Sequence, residues 1–193
     1  GQSRWQVSKD DNDWNSPLTE LGRNQAALLA DWLARHPAVD HDSRVEIGGI
    51  RVSPLLRAQE TAVPIATALQ LPLTTDANLH EADFYVSEHL PATETPYQAQ
   101  PTYTPTPVYA QFKEQSTNAL NALVGDVETS GLPVLGVAHG GLISTILRLA
   151  VGSDAISFWI YNTTLSLIEW KRGRWHLTYL NLWDHLPPQQ RTY

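Results

Sequence analysis

His139 stands where an apolar stretch, PVLGVA, ends and a glycine pair opens the segment HGGLISTILRLAVG. In open α/β sheets the carboxyl end of a strand is where ligands bind. Gly140 and Gly141 let a ligand approach the backbone, and the free N–H groups of a helix start favour an anion. A histidine there can donate to a phosphoryl oxygen or merely cap the turn, and position alone leaves both roles open. Arg57, in SPLLRAQETA, falls in the first turns of another helix that follows a strand. A planar guanidinium at that place can grip a phosphate with two hydrogen bonds, although an arginine on a helix is more commonly a solvated or salt-bridged surface group. Glu81, in NLHEADF, follows the short extended piece LPLTT. A carboxyl near a phosphate dianion has its pKa raised by like charge, which suits it to protonate a leaving alkoxide. Its acidic neighbours Asp83 and Glu88 look like ordinary solvated charge, which on the local sequence is the stronger reading of Glu81 as well.

Competing motifs fail on particular residues. No GxxxxGK[ST] run is present, which excludes a nucleotide-binding P-loop of that type. GVAHG has the strand, turn and helix layout of a hydrolase nucleophile elbow, but His139 occupies the position that needs serine. The other histidines, His36, His41, His80, His89, His176 and His185, form neither HExxH nor another close ligand pairing, so the sequence supports no metal site.

The elements that must position these residues follow from hydropathy. A polar stretch with two tryptophans reads as a loop over residues 1–17. Apolar residues at helical spacing from Leu18 to about Arg35 predict a first helix, which His36-Pro37 stops. VEIGGIRV over 45–52 predicts a strand, and Ser53-Pro54 opens a helix to about Leu69 with Pro64 as a candidate kink. Residues 85–107 are too rich in proline for a regular element and read as a surface insertion or as a cap over a cleft, where Tyr97, Tyr103 and Tyr109 would be available to line it. A helix from about Val108 to Thr129, the buried strand PVLGVA, the helix after His139 and a closing hairpin around Lys171 to Gly173 complete the pattern. Strands alternating with helices argue an α/β fold, a three-layer sandwich with a mostly parallel sheet flanked by helices and a C-terminal hairpin.

At 193 residues the chain suits one domain over 1–193. A net charge of −7 offers no basic surface for a phosphate backbone, so nucleic acid is not an expected partner. The absence of cysteine removes disulfides, thiolate metal sites and cysteine nucleophiles. With no run apolar enough to span a membrane and no leader pattern, a soluble, cytoplasmic protein without a membrane partner is expected. The oligomeric state is left open.

Taken in order, these segments resemble the histidine phosphatase (phosphoglycerate mutase-like) superfamily. GQSRWQ is similar to the family's opening from the glycine of R-H-G onward, and SPLTELGRNQAALLA resembles its first helix. SPLLRAQETA, LHEADF and VAHGGLI resemble the segments that carry its second phosphate-binding arginine, its general acid and its second pocket histidine. YNTTLSLIEW followed by LNLWDHL resembles the closing hairpin. The resemblance therefore implies catalytic roles for Arg57, Glu81 and His139, with phosphate contacts from Arg57, His139 and Gly140, and from a side-chain amide supplied by Gln6 or Asn12.

It further implies that a histidine just before Gly1, itself preceded by an arginine, attacks phosphorus. Glu81 then protonates the departing oxygen, and water hydrolyses the phosphohistidine without a metal or other cofactor. The chain begins with Gly1 and contains no methionine, so residues before Gly1, forming a central strand, are expected. A small phosphorylated metabolite is the implied substrate. The stretch from Glu81 to Glu114 holds one basic residue, Lys113, where mutases of this family carry several, which favours a phosphatase over a mutase-type phosphotransferase. A non-catalytic phospho-ligand binder is the alternative should Arg-His not precede Gly1.

Overall fold

A computed structural model describes residues 1–8, 14–36, 46–99 and 102–193. Its central sheet is built from β1 (Gly49–Val52), β2 (Leu73–Thr75) and β3 (Val134–Val137), in the order β2-β1-β3 with both pairings parallel. Ile50 faces Leu73 on one side and Leu135 on the other, and Val52 faces Val137.

Side chains alternate across a strand, and β1 uses that alternation to hold two different layers. Ile50 and Val52 point into an apolar layer with α2 (Glu20–Arg35) and α3 (Leu56–Leu69), where Leu29, Leu33, Ala62 and Ile65 are buried. Arg51 points the other way and forks onto Asp126 of α4 (Pro107–Ser130), with N···O distances of 2.5 and 2.8 Å. Gly136 of β3 lies on that second face, where an added Cβ would meet Leu123 of α4 at 3.3 Å. Phe112, Ala119, Leu142 and Ile146 form the core between α4 and α5 (Gly140–Val151). The sheet is thus sandwiched between helices, in the three layers expected from sequence.

The expected hairpin is β4 (Leu165–Lys171) paired antiparallel with β5 (Arg174–Leu182), a sheet of its own. Its two-residue turn places Arg172 and Gly173 at φ 54° and 76°, the left-handed pair that matches strand twist. Leu165 and Leu182 pack into the α2–α3 layer and Ile168 into the α4–α5 layer, so the hairpin borders both cores.

Several boundaries differ from expectation. The loop read over 1–17 contains a short helix, α1 (Arg4–Ser8). Its start is a capping box: Gln6 Oε1 accepts the Ser3 amide at 2.8 Å and Ser3 Oγ the Gln6 amide at 3.4 Å. Ser3 also bridges to Leu18, and the chain crosses the first turn of α2 so closely that a Cβ on Gly22 would lie 2.1 Å from Gln2 O. Of the strand expected over 45–52, residue 45 lies outside the described residues and β1 begins at Gly49, and the helix expected from Ser53 begins at Leu56. Pro64 sits inside α3, which runs unbroken to Leu69. Among the described residues, no helix is long and apolar enough to cross a membrane.

Candidate functional site

The carboxyl ends of β1 and β3 open into a cleft whose walls include Arg57, Glu81 and His139. Each side chain is placed by its own element. His139 is the N-cap of α5, in extended backbone at φ −129° and ψ 163°, so its ring leaves the end of β3 just as the helix turns away. Only 7% exposed, it is anchored by a 2.7 Å hydrogen bond between Nε2 and Ser53 Oγ, the fully buried residue that follows β1. Ser53 Oγ also accepts the Leu55 amide at 3.3 Å. Burial holds the imidazole well below its usual pKa, and the positive charge of Arg57 and the nearby His80 press the same way.

Arg57 is the second residue of α3 and half-buried. Its Nη1 donates to Trp14 O at 2.6 Å and its guanidinium lies 5.1 Å from the Trp14 ring centroid. That is its single hydrogen bond among the described residues. The Trp14 segment is pinned in turn by Asn15, whose side-chain oxygen accepts the Leu56 amide at 2.7 Å. Burial lowers the Arg57 pKa, and Glu81 opposes the shift.

Glu81 overturns one detail of the expected pocket. Two of the first amides of α5 are not left free for an anion: Glu81 Oε2 accepts the Gly141 N–H at 2.9 Å and Oε1 the Leu142 N–H at 3.0 Å, while the amide of Gly140, the expected phosphate contact, is not among the donors to Glu81. Oε1 also takes the Ala82 amide at 3.0 Å. The carboxylate occupies the helix terminus because that is where a negative charge is favoured. It also explains the glycine pair more sharply than the idea of a ligand approaching both residues. A Cβ at 141 would sit 2.6 Å from Glu81 Oε1, whereas one at 140 would meet Ile160 at an ordinary 3.9 Å. Burial raises the Glu81 pKa; the Gly141 and Ala82 amides and the charge of Arg57 pull against it. A carboxyl raised in this way is more readily found protonated, as a proton donor must be.

Gln6 also lines the cleft, but its amide is engaged by the capping box and, at 3.4 Å, by Asn162 Oδ1. Asn12 lies outside the described residues. The proline-rich segment divides: Tyr85, Val86, Ser87 and Leu90 wall the cleft, while Tyr97 and Tyr103, and Tyr109 just beyond the segment, do not. Tyr97 is 96% exposed, Tyr103 donates its hydroxyl to His89 O, and Tyr109 is wholly buried in α4. The cleft is aromatic for other reasons, since Trp14, Phe84, Trp159 and Tyr161 line it. Sequence reasoning also missed Ser53 and the segment before β4, whose only local signal is the run of aromatics FWIY at 158–161. Among the described residues no group of three or more His, Cys, Asp or Glu is placed to hold a metal ion.

Comparison with known proteins points to one family and fold. The model of the histidine phosphatase superfamily (branch 1) matches residues 1–182. A probable phosphoglycerate mutase, GpmB, of Yersinia pestis (strain Pestoides F) is 25% identical, the match covering 91% of this chain and 84% of that protein. Two similar solved structures share the fold. One is a mycobacterial glucosyl-3-phosphoglycerate phosphatase in complex with inorganic phosphate, with TM-score 0.69, 21% identity, and coverage of 97% and 96% of the two chains. The other is a phosphoserine phosphatase from Entamoeba histolytica in complex with 3-phosphoglyceric acid, with TM-score 0.70, 20% identity, and coverage of 97% and 95%. A family match that spans Arg57, Glu81 and His139, the three side chains that the fold gathers at one cleft from three separate elements, places this chain in the histidine phosphatase superfamily.

Proposed function

We propose that the protein is a phosphomonoesterase acting on a small phosphorylated metabolite through a phosphohistidine. The observation that carries the reading is the convergence of Arg57, Glu81 and His139 on the cleft at the strand ends, with Gly1 on its wall. A histidine immediately before Gly1 would stand at the same cleft. In the first step its ring nitrogen bonds to phosphorus as the P–O ester bond breaks, and Glu81 transfers its proton to the departing oxygen. In the second step Glu81, now a carboxylate, takes a proton from water as that water attacks phosphorus and releases the histidine. Arg57 and His139 hold the phosphoryl oxygens, which gain charge as the bonds exchange. A Ser53 hydroxyl that donates to His139 Nε2 leaves the neutral ring's one N–H on Nδ1, free to donate to phosphate. No step in this scheme calls for a metal.

The similarity to a probable mutase favours phosphoryl transfer as a second reading. Against it, Lys113, the one basic residue between Glu81 and Glu114, is committed to Asp154 at 2.7 Å. Hydrolysis of p-nitrophenyl phosphate and of a panel of metabolite monoesters by the full-length protein tests the proposal. Release well above that of an Arg57→Ala, His139→Ala double variant is expected. Release equal to that of the double variant on every ester would reject hydrolysis and leave a phospho-ligand binder.

A further inference from the structure

Arg148 is a second cation on the cleft wall, one that the phosphoryl chemistry above does not use. It lies in the last turn of α5 and is 3% exposed, so its charge is almost fully withdrawn from solvent. Two of its three nitrogens are fixed. Nε donates to Tyr109 Oη at 3.0 Å, and Nη2 donates to Thr145 Oγ1 at 2.7 Å and to Ser144 Oγ at 3.4 Å. Nη1 has no hydrogen-bond partner among the described residues, nor is it among the sealed polar atoms of the interior, and Arg148 and Ser144 both line the cleft.

The charge around it is not balanced. The nearby carboxylate, Asp154, already has both oxygens occupied, Oδ1 by the Tyr109 hydroxyl at 3.0 Å and Oδ2 by Lys113 at 2.7 Å. Two cations therefore share one carboxylate, and Arg148 reaches it only through a phenol. A guanidinium held this rigidly, with one donor edge unfilled and a surplus positive charge, is preorganised for an anion.

Its distance from the phosphate end limits the ligand. A helical side chain leans toward the N-terminus, and the bonds to Ser144 and Thr145 put the guanidinium level with those residues. That is roughly five residues, or about 8 Å along the axis, from His139 at the helix start.

We propose that Arg148 is a specificity-determining residue that binds a second anionic group, a carboxylate or second phosphoryl, on substrates whose two anions lie about 8 Å apart. This rests on the phosphate-pocket reading above. It favours phosphorylated acids with several carbons between the two groups and disfavours the two-carbon acid, whose anions are too close to reach both cations.

Calorimetric titration of the full-length protein with ω-phosphonocarboxylic acids of increasing length, and with alkylphosphonates of matched length that lack the carboxylate, tests the proposal without requiring turnover. Wild type is expected to bind the matched-length acid roughly tenfold or more tighter than the alkylphosphonate without the carboxylate, the worth of one charged hydrogen bond. The preference should peak at the spanning length, vanish in Arg148→Met and survive in part in Arg148→Lys. A merely structural arginine would leave this charge selectivity unmoved. Equal affinity for the phosphonocarboxylic acid and the alkylphosphonate in wild type, or a preference undiminished in Arg148→Met, would overturn the proposal while leaving the phosphate pocket standing. If Arg148→Met does not fold, the wild-type length series decides, and a preference independent of length overturns it. Binding of neither phosphonate would reject the phosphate pocket, and this proposal with it.

Discussion

Glu81 and Gly141 are fitted to one another across sixty residues of sequence: the carboxylate takes the Gly141 amide at 2.9 Å, and a Cβ on that residue would lie 2.6 Å from Oε1. The obstacle to a larger residue is the end of a flexible side chain, which can swing aside at little cost to the fold. Alanine is also the better helix former by about 1 kcal/mol. Gly141→Ala is therefore expected to melt at or above the parent temperature while its turnover of an alkyl phosphate falls on the order of tenfold or more, as part of the Glu81 contribution is lost. Scanning calorimetry beside steady-state kinetics checks both halves. Parent-like turnover would mean that the glycine does not serve the carboxylate.

Glu81 should matter in proportion to how much the leaving group needs a proton. Glu81→Gln is expected to cost on the order of 10²–10⁴ in kcat/KM, which reports the step that expels the leaving group, for an alkyl ester and far less for p-nitrophenyl phosphate, whose phenolate departs unassisted. The pH dependence follows from the same group. Burial raises its pKa, so the protonated acid persists above the usual carboxyl range and is lost as pH rises through the raised value. Wild-type kcat/KM on the alkyl ester should fall across that rise, and that of Glu81→Gln should not. Equal losses on the two esters would remove Glu81 from the acid role.

Ser53 is expected to act through His139 and not on substrate. Its hydroxyl, 2.7 Å from Nε2, sets the ring orientation, and its loss leaves a buried nitrogen unpaired at a cost of about 1–3 kcal/mol. Ser53→Ala should lower kcat/KM by roughly tenfold or more and lower the urea midpoint, whereas Ser53→Thr should restore most of both. Because burial holds His139 well below its ordinary pKa, its ring stays neutral at neutral pH, and the wild-type profile should show no limb from it there. A Ser53→Ala enzyme with intact kcat/KM would show that the hydrogen bond is not needed.

These dependencies divide what could be read from sequence from what could not. The three layers, the helix spans and the placing of His139 and Arg57 at element ends were legible because periodicity and breakers are local signals, carried within about a dozen residues. So was the capping box of Ser3 and Gln6, a signal present in the sequence but not used in reading residues 1–17 as loop. The His139–Ser53 bond joins residues 86 apart and the Glu81–Leu142 bond residues 61 apart, and neither leaves a periodic trace. Sequence alone offered all the first α5 amides to an incoming anion because it could not show that the protein's own carboxylate comes back to those of Gly141 and Leu142. The aromatic wall at 158–161 was hidden in the same way, since exposed and cleft-lining aromatics look alike until the chain closes around them.

The fork between β1 and α4 gives a prediction about stability. Arg51 reaches Asp126 at 2.5 and 2.8 Å and Asp76 at 3.2 Å, tying the sheet to the outer helix and to the turn after β2. Asp76 is 7% exposed but keeps hydrogen bonds from Asn78, and Asp126 is 38% exposed, so solvent screens much of the pair. Arg51→Met is expected to cost about 1 kcal/mol at pH 7, not the several kcal/mol of a sealed ion pair. The hydrogen bond from Arg51 lowers the Asp126 pKa in the fold. A depressed carboxyl stabilises fully above its unfolded value, near 3.9, and loses that contribution as pH falls through the lower folded value. Urea titrations should therefore show a gap between wild type and Arg51→Met that is constant from about pH 5 to 8 and narrows only in strong acid. A gap that narrows as pH rises would contradict the ion pair as its source.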